Sequence, residues 1–181
     1  KTILSRCQTI HINPTYDQES ADWLSNQITE NTRDDFDSMQ LLESSHGVPQ
    51  KALDDLKGDY FLKYQSWQNL LLDIALSPTK ISNTDIFSDN ELEVLKCLQR
   101  LLNEAIKIKV LDHDGANLEL NRVIEKTSYS HLFKLLDDTN CAISMSQTTV
   151  NIKLLLDNVL VVWSHITNLK KYPAITNIQE Y

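Results

Sequence analysis

From Tyr60 to Leu169 apolar residues recur every three or four positions and seldom alternate, and that spacing restricts the chain to amphipathic helices packed on one another. Tyr60, Tyr64, Trp67, Leu71 and Ile74 mark a first long helix. Ser77-Pro78 ends it, because the residue before a proline avoids the α region. Ile81 to Ser88 reads as a polar connector with one turn. Asp89 or Asn90 then caps a second long helix, whose stripe is Leu92, Leu95, Leu98, Leu102 and Ala105 and which Asp112-His113-Asp114-Gly115 breaks. Leu118 to Ile124 is a shorter segment. Leu132, Leu135, Leu136, Thr139, Ala142 and Ile143 predict another helix, closed by Gln147-Thr148-Thr149. Asn151 caps the most apolar helix, with Leu155, Val159, Val162, Ile166 and Leu169 on one side and Leu156, Leu160 and Trp163 flanking them. A stripe this wide is expected to be buried on more than one face, and two readings stay open, a well-packed bundle alone or that bundle with another subunit against it. The expected interface residues are Leu155, Val159, Val162 and Ile166.

The first 58 residues read differently. Gln8-Thr9-Ile10-His11-Ile12 alternates polar and apolar with β-branched side chains, a strand signature that Asn13-Pro14 ends. Thr15 or Asp17 then caps a helix to about Ile28, with Ala21, Trp23-Leu24 and Ile28 as its apolar positions. After a polar break at Asn31 to Arg33, Asp34 or Asp35 starts a short helix carrying Phe36, Met39 and Leu42, which closes at Ser44-Ser45-His46-Gly47. Pro49 suits the first turn of a third helix, where its missing N–H costs nothing; Ala52, Leu53 and Leu56 follow, and Gly58 stops it. Residues 15–58 therefore predict a small three-helix bundle.

Composition removes several classes of function. The chain has 181 residues with 17 Lys plus Arg against 25 Asp plus Glu, a formal charge of -8, so autonomous nucleic-acid binding is disfavoured. Cys7, Cys97 and Cys141 are far apart and odd in number, which supports neither a disulfide framework nor a cysteine zinc site. No apolar run is long enough to span a bilayer, and no signal peptide opens the chain. Lys1-Thr2-Ile3-Leu4 without an initiator Met reads as the middle of a longer chain, and we expect a cytoplasmic fragment.

Phosphate-binding Gly-rich loops, a nucleophile elbow and a His-Glu-x-x-His pair are all missing from the sequence. Asp112-His113-Asp114 is the one dense cluster of metal-type ligands. Three consecutive side chains point in different directions, so a solvated loop is expected and no metal site. Cys97 and Cys141 fit as small core residues, and His131 and His165 as structural or solvated ones.

Ser5-Arg6-Cys7 follows Thr2-Ile3-Leu4, precedes the strand, and is followed by the bundle whose third helix starts at Gly47-Val48-Pro49. This order resembles the end of the AAA+ core in clamp-loader subunits. Trp23-Leu24-Ser25, Ser44-Ser45-His46-Gly47-Val48-Pro49-Gln50-Lys51-Ala52-Leu53 and Asn151-Ile152-Lys153-Leu154-Leu155-Leu156-Asp157 resemble the delta-prime family of bacterial DNA polymerase III clamp-loader subunits. The resemblance implies an all-α fold: an AAA+ lid three-helix bundle at 15–58 and a helical collar domain for oligomerisation at 59–181. The segment 1–14 would be the end of the AAA+ core, a short strand remnant bearing the Ser-Arg-Cys motif.

It further implies that Arg6 is an arginine finger acting in trans on ATP-Mg held by a neighbouring gamma/tau subunit, with Ser5 and Cys7 positioning the turn. A planar, permanently charged guanidinium suits that role, and such fingers contribute roughly 10³–10⁵ in rate. Clamp-loader subunits that bind ATP carry a nucleotide-sensing arginine early in the third lid helix; the matching position is Gln50 here, and a neutral amide cannot replace the cation. No cofactor and no catalysis are therefore expected of this fragment itself, which would serve as a subunit of a DNA-directed DNA polymerase holoenzyme. The implied partners are gamma/tau and delta subunits, with the sliding clamp and primed DNA reached through the complex and no membrane involved. Two alternatives stay open: an active gamma/tau-type AAA+ ATPase subunit, and a helical adaptor unrelated to replication.

Overall fold

A computed structural model describes residues 13, 15–28, 37–45, 47–57, 60–111 and 117–170, and all regular structure among them is helical. The chain divides into two units, residues 1–63 and residues 64–181. The expected strand at Gln8 to Ile12 lies outside the described residues.

The first unit holds α1 (Gln18–Gln27), α2 (Ser38–Ser44), α3 (Pro49–Lys57) and the opening turn of α4 (Tyr60–Leu76). Of the two caps considered for α1, Asp17 fills the role: its carboxylate accepts from the Ser20 N–H at 2.8 Å, while Thr15 and Ser20 join through their hydroxyls at 2.9 Å. That helix turns Ala21 and Leu24 inward. Trp23, one step round the helix from Leu24, is 42% exposed and is not one of its core positions. The start of α2 falls later than Asp34 or Asp35, at Asp37, whose side chain accepts from the Met39 N–H at 3.0 Å. Leu24, Leu41, Leu42, Ala52 and Phe61 make the core, bordered by Ile28, Met39, Leu53 and Leu56.

In the second unit α4 continues into a 3₁₀ stretch, Pro78–Phe87, then α5 (Glu91–Leu111), α6 (Leu118–Lys126), α7 (Tyr129–Met145), α8 (Ile152–Ser164) and a 3₁₀ turn, Ile166–Asn168. The helix α5 packs on α6, α7 and α8, and α7 also packs on α8. Asn117, Ser128 and Asn151 cap α6, α7 and α8, each accepting backbone N–H groups of the first turn. Asn151 is the cap that the sequence predicts; its Oδ1 accepts from the Lys153 N–H at 3.0 Å.

Two local expectations need correction. The connector after α4 is more than a polar loop, because Phe87 at its end is buried and the stretch packs against α8. The last helix stops at Ser164, short of Ile166 and Leu169. Its final turn tightens: the His165 N–H donates to Val162 and the Asn168 N–H to His165, both three residues back. Ile166 and Thr167 are β-branched, and the Thr167 hydroxyl donates to the Ala75 carbonyl at 3.2 Å, so a tertiary bond takes over where helix propensity is weak.

Candidate functional site

Ser5, Arg6 and Cys7 lie outside the described residues, and so does Asp112-His113-Asp114. Among the described residues, no group of three or more His, Cys, Asp or Glu side chains is gathered as a metal site would require. Nor is any described helix long and apolar enough to cross a membrane.

The start of α3 is described, and its geometry follows from one glycine. Gly47 sits at φ 69, in the left-handed region that a Cβ disfavours. In that conformation its N–H donates to the Leu42 carbonyl at 2.9 Å, closing the end of α2, while its carbonyl accepts from the Thr15 N–H at 3.0 Å. One residue thus ties the chain before α1 to the junction between α2 and α3. Ser44 and Ser45, fully buried beside it, donate their hydroxyls to the carbonyls of Leu41 and Leu42. Pro49 then opens α3, and the Ala52 N–H donates to the Val48 carbonyl. Gln50 and Lys51 are exposed on the first turn, and the Lys51 ammonium lies 5.6 Å from the centre of the Tyr60 ring. The first turn of α3 therefore offers solvent a neutral amide followed by a cation whose aromatic neighbour belongs to the same unit.

The residues expected at an oligomer interface occupy the core of the second unit. Leu155, Val159, Val162 and Ile166 are between 0 and 6% exposed. Leu156, Leu160 and Trp163, the flanking positions, are buried with them, and the Trp163 indole N–H donates to the Leu71 carbonyl at 2.6 Å. The width of the stripe is thus accounted for within the bundle. On the opposite side of α8, Leu154 and Val161 are 57% and 54% exposed, with Asp157 and Asn158 exposed between them.

A polar cluster between α4 and α5 goes unpredicted from the sequence. Arg100 Nη1 lies 3.5 Å from the Tyr64 hydroxyl, and its guanidinium carbon is 5.8 Å from the centre of the Tyr64 ring. Burial pushes the Cys97 thiol up to about 12 from an ordinary 9.0, against the smaller opposing pull of its Tyr64 hydrogen bond and of Arg100. Burial likewise raises Tyr64, with Cys97 adding to the effect. The protonated, enclosed thiol is no nucleophile, as expected of a core cysteine. Cys97 and Arg100 are three apart on α5 and face one way, which the sequence does display; that Tyr64 meets them depends on how α4 and α5 pair.

A second feature lies where the end of α5 meets the start of α7. The Tyr129 hydroxyl donates to the Lys109 carbonyl at 2.7 Å, and the Lys109 ammonium donates to the Ile124 carbonyl at 2.8 Å while lying 5.2 Å from the Tyr129 ring centre. The first bond satisfies a carbonyl at the C-terminal end of α5, which lacks an intrahelical donor, and the second ties α5 to a carbonyl near the end of α6. Val110, Tyr129 and Phe133 are each about half exposed or more around it.

No protein-family model, no curated protein and no solved structure matches the chain.

Proposed function

We propose that the chain is part of a non-motor, delta-prime-type subunit of the bacterial DNA polymerase III clamp loader, acting in the cytoplasm in DNA replication. Its helical second unit would serve as the collar that joins gamma/tau and delta subunits in a ring, and its first unit as the AAA+ lid. Arg6 would reach the ATP-Mg of a neighbouring gamma/tau subunit, so that the sliding clamp is loaded on primed DNA.

The reading is carried by the order Ser5-Arg6-Cys7, three short helices, Gly47-Val48-Pro49 at the head of the third, and Gln50 where a nucleotide-sensing arginine would stand. The exposed amide of Gln50 is compatible with a lid that does not read its own nucleotide. In the second unit the inner face of α8 is already occupied, so a ring contact through this helix would use its Leu154 and Val161 side.

The test is steady-state ATP hydrolysis by a loader reconstituted from gamma/tau, delta and this subunit. Arg6→Ala should lower the DNA-stimulated rate and clamp loading by roughly 10³-fold at the site it serves, the low end of what arginine fingers contribute. An unchanged rate from an intact complex rejects the finger, and nucleotide binding by this subunit itself would favour an active gamma/tau-type ATPase.

A further inference from the structure

We draw no further inference here: the strongest candidate, the exposed apolar patch of Val110, Tyr129 and Phe133 where the end of α5 meets the start of α7, has nothing in the structure to show what covers it.

Discussion

The two units reach helical order by different means. In the second, large side chains from α4, the 3₁₀ stretch, α5, α7 and α8 are enclosed: Trp67, Leu71, Phe87, Leu98, Leu101, Leu132, Leu135, Leu160 and Trp163 are all essentially inaccessible. In the first, short helices surround Leu24, Leu41, Leu42, Ala52 and Phe61, and much of the geometry is held by main-chain devices at the helix ends. Asp17 and Asp37 fix where α1 and α2 begin, and Gly47 ties three segments together. Helices this short are marginal by themselves, so they depend on caps and a few contacts, whereas longer helices with wide apolar faces depend on packing. A unit of the first kind should open at lower cost than one of the second.

Substitutions can break this contrast at its strongest point. Trp163→Ala removes one of the two buried tryptophans of the second core together with its bond to Leu71, and should cost about 3–5 kcal/mol in urea unfolding. A cost below 1 kcal/mol would show the second core to be loosely packed. Leu42→Ala in the first core should cost about 2–5 kcal/mol. Because Leu42 sits in the small core that the three short helices share, amide exchange should lose protection across α1, α2 and α3 while α5 and α7 stay protected. Simultaneous loss in both units would mean that they unfold as one.

Alkaline titration sharpens the comparison because the two acids raised in that range, Cys97 and Tyr64, belong to the second unit. The Cys97 thiol keeps its proton in the fold up to about pH 12 but gives it up near 9.0 when unfolded. Its contribution is therefore fully present below pH 9, and is lost as the pH rises from 9 to 12. Tyr64, also raised, acts in the same direction from 10.0 upward. Urea midpoints of α5 unfolding should fall across this range, and less steeply in Cys97→Ala. An equal slope in that variant would remove the thiol as a cause.

Cap removal compares like with like. Asp37→Ala at α2 and Asn117→Ala at α6 should each cost about 1 kcal/mol, but the loss should raise local exchange more widely in the first unit. Smallest of all is the half-exposed pair of Lys80 and Asp73, 2.6 Å apart, where Lys80→Ala should change stability by less than about 0.5 kcal/mol.

Periodicity made most of the helical order legible because the apolar stripes are long and their breaks are chemically marked. Asn151 capping α8 and Pro49 opening α3 are local effects that a single turn decides, and both were readable. Boundaries governed by tertiary contacts were not. Thr167 bonding to Ala75 helps end the last helical stretch, and burial of Phe87 gives a polar-looking connector its anchor; both involve elements distant in sequence. Trp23 misled because apolarity alone does not fix which side of a short helix faces inward.

The same limit applies to the site. Gln50 was legible as a neutral residue one place after Pro49 opens α3, while its exposure to solvent came only with the fold. The meeting of Tyr64 with Cys97 and Arg100 could not, since it depends on the pairing of α4 and α5. The apolar face of α8 was visible as a face, but its assignment to the chain's own core rather than to a neighbour required the packed bundle.

Size-exclusion chromatography of this chain mixed with gamma/tau and delta subunits tests the proposed role most directly. The account predicts one early-eluting complex containing all the subunits, weakened by Leu154→Glu paired with Val161→Glu on the outer side of α8. Separate elution of the chain under conditions in which gamma/tau and delta associate with an authentic delta-prime subunit would contradict it.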